Sequence, residues 1–470
     1  MKTTPAALAR RLEVQRAAFA AEPYPTWELR AERLKRLQQM LGDHEPAITQ
    51  AIDEDFGGRP RFETDLAEVW PSLEEIKVAL REGRGWMRAQ RAPVAKWFLP
   101  AQAQVLPQPL GVVGIIVPWN YPLFLAVAPM TAALAAGNRV MVKMSEYTPR
   151  FSALFASLCG QVFRADEVDV VLGPASVAAQ FSALPLDHLL FTGSTAIGRK
   201  VMAAAAPNLT PVTLELGGKS PAVVSPGYPL ASAVERILVG KLINAGQTCI
   251  APDHVWLPRA QLEPFVEAAR AAARRLYPHG LADEHYCSVI DVRQYTRLTA
   301  ALDDALERGA RALPLFAGAQ RDDAGHRLAP QLVLDAPADN ALSTDEVFGP
   351  LLPLRPYDEL DDAVAAINAG PRPLALYWFD QDRRRTQNAL ERTHAGGVTV
   401  NDTLLHVAQY GLPFGGVGHS GMGHYHGRWG FETFSKLKPV VWQARVNAMS
   451  LFLPPYRPLA HAMLRLMKRV

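Results

Sequence analysis

From residue 110 onward, short apolar runs rich in β-branched residues alternate with segments of about 10–15 residues that have helical spacing. The first run, Gly111–Val117, contains no polar side chain and is followed by Pro118, which is typical of a strand buried on both faces. Strands connected through helices of this length pair in parallel, so the pattern predicts an α/β fold with a doubly wound sheet. Strands are expected at 111–117, 139–143, 168–172, 189–191, 211–216, 222–224 and 254–257, and helices at 124–136, 149–163, from 194, at 230–245 and at 261–276.

Both ends of the chain differ from this alternating region. Residues 1–40 are predicted to form a charged amphipathic helix, and the first 85 or so residues are expected to be helical. The last acidic residue is Glu432, so 446–470 is a basic and apolar tail. As a helix, 458–470 would suit packing over a substrate entrance or onto a partner subunit, which we favour, or weak attachment to an anionic membrane surface. Its apolar side would comprise Leu459, Met463, Leu466, Met467 and Val470.

The composition narrows the class of protein further. The 470 residues are 49% hydrophobic and 20% charged, which is typical of a globular chain. The net charge is only +3, so no nucleic-acid partner is expected. The longest apolar stretch, 123–137, is shorter than the ~20 residues that a membrane-spanning helix needs. No transmembrane segment is therefore predicted.

Three cysteines, Cys159, Cys249 and Cys287, form no CxxC pair, and their odd number leaves at least one thiol free. Because the first residues show no signal-peptide pattern either, we expect the reducing cytoplasm. Cys249 lies in NAGQTCI, whose small and polar residues predict a tight loop. Such a loop could present a nucleophilic thiol to an electropositive cleft, with backbone N–H groups close by. An inert buried cysteine fits this local sequence equally well.

Two further segments could supply polar groups for covalent catalysis. The string PWNYP follows the first strand, where ligands bind in open α/β sheets, and the amide of Asn120 could stabilise an oxyanion. The alternative there is a rigid turn with a stacking Trp119. Glu215 lies between two leucines just before a Gly-Gly pair, so a half-buried carboxylate with a raised pKa could act as a general base. The alternative is an ordinary strand residue with its carboxylate in water.

Two loops are typical of nucleotide binding. In FTGSTAIG, the spacing of Gly193 and Gly198 resembles, without matching, the GxGxxG fingerprint in which a helix N-terminus approaches a pyrophosphate. In VKMSE, Lys143 and Glu146 could hold a ribose, although a solvent-facing capping pair fits equally. Glu346, in DEVFGP, is uninformative by itself.

A glycine-dense segment, GGVGHSGMG, indicates a loop whose backbone passes close to another part of the molecule or to a ligand. His419, His424 and His426 lie in or beside it, but no cysteine or carboxylate cluster joins them in the sequence. No metal site is predicted.

Taken together, seven segments resemble the aldehyde dehydrogenase superfamily. They are PWNYP, VKMSE, FTGSTAIG, TLELGGKSP, NAGQTCIAP, EVFGP and PFGGVGHSGMG, and they follow the family's order over roughly residues 105–440. The short N-terminus and the strings NAGQTCIAPD, VTVND and GMGHYHG are most similar to the class 3 and fatty aldehyde branch, and within it to bacterial coniferyl aldehyde dehydrogenases. One departure is Met144, where the family more often has a small residue or proline, and this leaves the choice between NAD and NADP open.

The resemblance implies the NAD(P)-dependent oxidation of an aldehyde to a carboxylic acid. Cys249 would attack the carbonyl carbon, the Asn120 amide and the Cys249 N–H would hold the oxyanion, and Glu215 would activate the water that hydrolyses the thioester. NAD is the expected cofactor, with NADP as the alternative. The substrate would be an aromatic aldehyde such as coniferaldehyde, or a medium or long aliphatic one. The residues implied in cofactor binding are Trp119, Lys143, Ser145, Glu146, Gly193, Ser194, Gly198, Leu216, Glu346 and Phe348.

The family fold that the resemblance implies contains a Rossmann-type cofactor-binding domain, an α/β catalytic domain and a small bridging or oligomerisation element. It usually forms dimers or tetramers, and a homodimer is expected here. The expected division is 1–89 and 109–216 for the cofactor-binding domain, 217–423 for the catalytic domain, 90–108 and 424–445 for the bridging element, and 446–470 for the tail.

Two rival functions are considered. An acylating aldehyde dehydrogenase would pass the thioester to coenzyme A, but Glu215 argues for a water-activating base and hence for hydrolysis. A catalytically dead structural or binding relative is disfavoured because Cys249, Asn120 and Glu215 are all retained.

Overall fold

The computed structural model describes residues 4–468 of the 470-residue chain. Arg469 and Val470 of the predicted tail helix, and residues 1–3 of the predicted cofactor-binding domain, lie outside the described residues. The α-helices are α1 Pro5–Ala21, α2 Trp27–Phe56, α3 Arg61–Thr64, α4 Trp70–Trp86, α5 Phe124–Ala136, α6 Pro149–Val162, α7 Ala175–Ser182, α8 Thr195–Ala205, α9 Leu230–Leu242, α10 Leu262–Leu276, α11 Val292–Glu307, α12 Ala341–Thr344, α13 Leu360–Ala369, α14 Arg383–Arg392, α15 Gly427–Thr433 and α16 Pro458–Met467.

The strands form three larger sheets and one small hairpin. They are β1 Gln90–Ala92, β2 Gln102–Pro109, β3 Val112–Ile116, β4 Arg139–Lys143, β5 Val168–Val171, β6 His188–Thr192, β7 Val212–Glu215, β8 Pro221–Val224, β9 His254–Pro258, β10 Arg311–Pro314, β11 Arg321–Asp322, β12 Arg327–Leu328, β13 Gln331–Leu334, β14 Leu351–Tyr357, β15 Ala375–Phe379, β16 Gly397–Val400, β17 Gly421–Met422 and β18 Ser435–Trp442.

The first sheet has the order β17-β7-β6-β3-β4-β5. Strands β3 to β7 pair in parallel, and β17 adds an antiparallel edge. Every residue of β3, β4 and β6 is buried, which is why these strands appear in the sequence as unbroken apolar runs. The predicted doubly wound parallel sheet is confirmed, including the bounds of α5 and β4. The short helix α7 was not predicted.

The second sheet has the order β10-β13-β14-β9-β8-β15-β16. It is parallel except at β10, which pairs antiparallel with β13 at the edge. A third sheet, β1-β2-β18, is antiparallel and joins a strand near residue 100 to one near the C-terminal end. The predicted bridging element contains this sheet. However, α15, also assigned to that element, packs against α4 and α5. The exact domain division stays a prediction.

The N-terminal helix ends earlier than predicted. Residues 1–40 do not form one helix, because α1 ends at Ala21 and α2 begins at Trp27. Pro23 and Pro25 lie between them and cannot supply the N–H groups that a continuous helix requires. Within α1, Arg11 forms an ion pair with Asp169 on β5, which ties α1 to the edge of the first sheet.

A buried charge cluster ties α2 to the loop before β5. Glu167 is 2% exposed and accepts hydrogen bonds from Arg33, which is 1% exposed, and from Arg36. Burial alone would raise the pKa of Glu167, but hydrogen bonds from Arg36 and the Arg164 N–H, together with the positive charges, lower it to about 2. The ionised carboxylate is therefore part of the folded state.

We expect Glu167→Gln to lower the free energy of unfolding by ~3 kcal/mol, because it leaves the buried Arg33 with only the longer contact to Glu22, at 3.5 Å, as a counter-charge. Since the folded pKa of Glu167 is below its ordinary value of 4.5, its contribution is present above about pH 4.5 and is lost as pH falls toward 2. Urea unfolding at several pH values measures both effects. Asp358→Asn, in the exposed Arg259–Asp358 pair, is the control and should leave stability close to that of the wild type, because water screens an exposed pair. Equal losses in both variants would contradict the assignment.

Candidate active site

The loop that carries Cys249 has an unusual backbone. Asn244 and Ala245 have φ values of 53° and 49°, in the left-handed region that costs non-glycine residues energy. The loop is fixed by hydrogen bonds: the Asn244 N–H donates to Glu63 at 3.0 Å, and the Gln247 side chain donates to the Ser288 carbonyl at 3.0 Å. The sequence therefore predicted a tight loop correctly, and polar contacts from distant segments hold it.

Cys249 is half-buried at the end of this loop. Burial raises the pKa of its thiol, the charges of Glu346 and Glu215 raise it further, and the N–H groups of Cys249 and Ile250 oppose the rise. The expected electropositive surroundings are not found among the described residues, because the nearest charged side chains that act on the sulfur are carboxylates. The thiol is neutral at rest. The backbone N–H groups beside it are nevertheless placed as the sequence suggested.

Asn120 follows β3 and its side-chain amide points toward the Cys249 loop. Its Nδ2 donates to the Gln247 carbonyl at 3.1 Å, while the Asn244 side chain donates to the Asn120 carbonyl at 3.1 Å. The Tyr121 hydroxyl lies 2.6 Å from the Thr248 hydroxyl. The PWNYP loop and the cysteine loop are therefore locked together, with the second N–H of the amide left for another acceptor.

Behind Asn120 lies a buried ion pair that sequence reasoning missed. Arg59 donates to Glu68 at 2.7 Å and to the Asn120 carbonyl at 3.2 Å. The other oxygen of Glu68 accepts the N–H groups of Leu123 and Phe124, at the start of α5, at 2.7 and 3.2 Å. The pair thus holds the middle of the PWNYP loop and the two residues that follow it. Arg59 precedes α3 and Glu68 follows it, and no sequence motif connects either residue to this loop.

Glu215 is the last residue of β7 and is 2% exposed. Neither carboxylate oxygen has a hydrogen-bond partner, and burial raises the pKa of Glu215 well above its ordinary value. The side chain is more buried than the half-buried position we expected. A neutral carboxyl group next to a cysteine can become a proton acceptor for water once it ionises.

The loop around Glu346 forms another wall of the same cleft. A Cβ at Gly217 would lie 2.2 Å from Glu346 Oε2, so only glycine permits this approach. Burial, then the charge of Asp253, raises the pKa of Glu346 to about 8, although the Gly218 N–H opposes this. Phe348 meets Trp119 edge-on, with ring centroids 5.4 Å apart.

The Lys219–Asp253 pair supports this loop and was also missed. Lys219 Nζ donates to Asp253 at 2.6 Å and to the Asp345 carbonyl at 2.8 Å, and Asp253 accepts the Val347 N–H at 2.7 Å. Lys219 lies in the segment TLELGGKSP, and Asp253 lies in NAGQTCIAPD. Their polar character inside otherwise apolar or small segments was the signal that could have identified them.

The predicted cofactor residues lie at the carboxyl ends of neighbouring strands. Trp119, Ser145, Gly193 and Leu216 follow β3, β4, β6 and β7, which are adjacent in the sheet order. Adjacent parallel strands end at one edge, and the chain reverses its direction of strand addition between β3 and β6, where such sheets bind ligands. The structure thus brings this part of the predicted set together.

These residues fit a dinucleotide. Lys143 donates to the Met144 carbonyl at 2.6 Å, and its Nζ lies 3.7 Å from Glu146 Oε2, so both side chains stay at the end of β4. Ser194 is the N-cap of α8 but its side chain makes no capping hydrogen bond, which leaves first-turn N–H groups available for a phosphate. A Cβ at Gly198 would lie 2.7 Å from Leu216, so glycine there permits the close packing of helix and strand.

The three histidines around the glycine-dense loop do not gather as metal ligands. Within residues 4–468, no group of three His, Cys, Asp or Glu side chains is arranged to hold a metal ion. Among the same residues, no helix has the length and apolarity needed to cross a membrane. His426 is completely buried beside aromatic rings.

Comparison with known proteins shows the family to which the chain belongs. A family model described as the aldehyde dehydrogenase family matches residues 2–440. The chain is 52% identical to a probable coniferyl aldehyde dehydrogenase of Pseudomonas aeruginosa, over 94% of this chain and 92% of that protein. It is 44% identical to a coniferyl aldehyde dehydrogenase of Pseudomonas sp. strain HR199, over 93% of this chain and 91% of that protein.

Solved structures give the same result. A substrate-bound Staphylococcus aureus AldH superposes with a TM-score of 0.93 at 33% identity, covering 97% of this chain and 98% of that one. An Escherichia coli NADP-dependent enzyme has a TM-score of 0.85 at 27% identity, covering 94% of this chain and 91% of that one. A Sinorhizobium meliloti NAD-dependent aldehyde dehydrogenase has a TM-score of 0.85 at 25% identity, covering 95% of this chain and 88% of that one. The chain therefore belongs to the aldehyde dehydrogenase family and is an aldehyde-oxidising enzyme with a nicotinamide cofactor.

Proposed function

We propose that this enzyme oxidises an aromatic aldehyde such as coniferaldehyde to its carboxylic acid, with NAD as the preferred cofactor and a thioester on Cys249 as the intermediate. The observation that carries the proposal is the meeting of three groups in one cleft. Glu215 is close enough for its charge, when ionised, to raise the pKa of the Cys249 thiol, after burial and Glu346, and the Asn120 amide donates to the loop that carries that thiol. A nucleophile, an oxyanion donor and a base are what acyl transfer through a thioester requires.

The roles follow from the positions of these groups. The Cys249 thiol gives its proton to water as Sγ bonds to the carbonyl carbon, and the oxygen that becomes negative accepts hydrogen bonds from the Asn120 side chain and the Cys249 N–H. A nicotinamide cofactor bound at the carboxyl ends of β3, β4, β6 and β7 would supply the acceptor for the hydride that leaves this carbon. Glu215 then takes a proton from the water that attacks the thioester, and the acid departs as the Sγ–carbon bond breaks. An ionised Glu215 with a raised pKa accepts that proton more readily than an ordinary carboxylate does.

The preference for NAD rests on Glu146. Its carboxylate lies beside Lys143 at the end of β4, the position expected to meet the adenosine ribose. A carboxylate there accepts hydrogen bonds from ribose hydroxyls and repels a 2′-phosphate. NADP stays the alternative.

The preference for an aromatic substrate has two supports. Both Pseudomonas relatives are named for coniferyl aldehyde. In addition, aromatic rings lie close to the catalytic groups, including Tyr425, whose pKa is raised by burial and then by the charges of Glu215 and Cys249. A medium or long aliphatic aldehyde is the alternative substrate.

Steady-state assays of the wild-type enzyme test this function. We expect the highest kcat/KM with coniferaldehyde and NAD, a lower value with hexanal, and a loss of at least ~10-fold with NADP because a 2′-phosphate would meet the Glu146 carboxylate. The product should be the free acid, and added coenzyme A should not yield acyl-coenzyme A. A dominant acyl-coenzyme A product would make the enzyme acylating instead, and no NADH from any aldehyde would make it a binding protein.

The division of labour between Cys249 and Glu215 is tested by rapid mixing with excess aldehyde. Because hydride transfer precedes hydrolysis, Glu215→Gln should release one NADH per site in a burst, followed by a steady state slower by ~10²-fold or more. Cys249→Ala should bind the cofactor but release no NADH. Cys159→Ala, at a buried thiol in α6, is the matched control and should behave as the wild type. A missing burst in Glu215→Gln would mean that Glu215 also activates the thiol, and a full steady-state rate would make Glu346 the first candidate base.

We also infer a homodimer that works in the cytoplasm. The described cysteines are all free, which suits a reducing compartment.

Strand β18 is an edge strand whose Val441 and Trp442 are 67% and 62% exposed, and such edges are covered in stable proteins. In the tail helix α16, Leu459 and Leu466 are exposed, so within the described part of the chain they do not pack over a substrate entrance. This favours a partner subunit, with a membrane surface as the alternative.

Light scattering tests this assembly. The expected mass is twice 51.4 kDa for the wild type and 51.4 kDa for Val441→Asp, because an unpaired carboxylate cannot be buried in an apolar interface. Asp358→Asn is a surface control that should leave the dimer intact. A wild-type mass of 51.4 kDa would contradict the dimer.

A further inference from the structure

Three consecutive residues shortly before Cys249 have left-handed backbone conformations. Asn244, Ala245 and Gly246 have φ values of 53°, 49° and 77°. Glycine adopts such a conformation freely and asparagine tolerates it, whereas alanine adopts it only at a cost in free energy. The segment 244–246, which we call the left-handed turn, therefore needs contacts with other parts of the molecule to keep its shape.

Glu63, on the short helix α3, contacts the first residue of the left-handed turn. Its Oε2 accepts the Asn244 N–H at 3.0 Å, although the two residues are 181 positions apart in the chain. The Asn244 side chain donates to the Asn120 and Gln247 carbonyls at 3.1 and 3.2 Å. The Cys287 thiol donates to the Oδ1 of the same side chain at 3.4 Å. Asn244 thus joins the cysteine loop to its neighbours, and Glu63 supplies the carboxylate among these contacts.

The segment 57–68, which contains this glutamate, also holds the loops on either side. Arg59 donates to a carbonyl of the PWNYP loop at 3.2 Å. The Ser288 N–H donates to the Gly58 carbonyl at 2.8 Å, and the Ser288 carbonyl accepts the Gln247 side chain at 3.0 Å. One segment therefore contacts the loop of the nucleophile directly and through Ser288, and it also contacts the loop of the oxyanion donor.

We propose that Glu63 is a positioning residue that holds Cys249 in a fixed place relative to the oxyanion donor Asn120. The proposal rests on the proposed function, because it concerns the step in which Cys249 Sγ attacks the aldehyde. Glu63 acts on this step through the left-handed turn, whose position determines where the thiol lies. A displacement of about 1 Å from the productive geometry can lower a rate by ~10²-fold. The cofactor residues at the end of the first sheet do not depend on this contact.

The strength of the contact depends on the charge of Glu63. Burial raises the pKa of Glu63 to about 7, although the charge of Arg59 and the Asn244 N–H oppose the rise. An ionised carboxylate accepts a stronger hydrogen bond than a neutral carboxyl group does, so the contact weakens as pH falls through about 7. The other titratable groups that face Glu63 all have pKa values raised from ordinary values that already lie above this range, so their charges stay constant there. They are Arg59, Tyr121, Tyr277, Tyr286 and Cys287.

Single-turnover mixing, with enzyme and NAD in excess over coniferaldehyde, measures the formation of NADH apart from hydrolysis. Glu63→Met is similar in length but cannot pair the Asn244 N–H well. It should slow this step by ~10-fold or more and leave the Kd for NAD within ~2-fold of the wild type. Glu63→Gln places an amide oxygen at the same position, so its rate should stay within ~3-fold of the wild type.

The pH dependence separates a carboxylate contact from simple packing. The ratio of the wild-type rate to the Glu63→Gln rate should fall by ~3-fold from about pH 8 to about pH 6, because only the wild-type acceptor gains a proton. Taking the ratio removes the titration of Glu215 and Glu346, which both enzymes share. A ratio that does not change with pH would overturn the proposal, even if Glu63→Met does not fold.

Arg61→Gln and Glu167→Gln are the matched controls. Arg61 lies on the same helix, but its side chain is exposed and pairs with Glu45. Glu167 lies in the buried charge cluster of α2, so its variant loses stability without losing a contact to either loop. Both controls should keep the wild-type single-turnover rate. A wild-type rate in Glu63→Met, or an equal loss in Glu167→Gln, would overturn the proposal. A wild type that forms no NADH would overturn the proposed function instead.

Discussion

The buried ion pair between Arg59 and Glu68 is the contact on which the geometry of the site depends. Removing two charges from water costs several kcal/mol per ion, and only good geometry with additional hydrogen bonds offsets that cost. Here the additional bonds go to the Asn120 carbonyl and to the first N–H groups of α5. The Arg59 guanidinium also lies 5.0 and 4.9 Å from the ring centres of Phe56 and Tyr121. The orientation of the Asn120 amide toward the cysteine loop is therefore set by residues that no substrate needs to touch.

The electrostatics around Cys249 follow from burial more than from charge pairing. Carboxylates at Glu215 and Glu346 and a thiol lie in one cleft, and burial raises the pKa of all three. Ionised forms of neighbouring acids repel one another, so at most one of them carries a charge at little cost. This explains how a thiol and a water-activating base can share a small space. It also explains why the expected electropositive setting of the cysteine was wrong for the protein chain alone.

The sequence predicted what depends on local pattern. Apolar runs located β3 and β4 because those strands are buried on both faces, and small residues located the Cys249 loop because it turns tightly. The break between α1 and α2 was missed because helical periodicity outweighed Pro23 and Pro25. Arg59 and Glu68 could not be predicted, since their contacts join the segments on either side of α3 to Asn120 and the start of α5, far along the chain. The assignments of catalytic and cofactor roles themselves stay predictions, supported by the positions of the residues.

The pairing of buried polar atoms separates the groups that hold this fold from those that act on a ligand. Glu68 and Glu167 each accept several hydrogen bonds, so their carboxylate oxygens are already paired within the folded chain. Glu215 is as deeply buried, yet both of its carboxylate oxygens are unpaired. A chain retains such costs only where a bound molecule repays them or where the reaction needs the group free. Glu215 is such a group, because the proposed reaction needs its carboxylate free to take a proton from water.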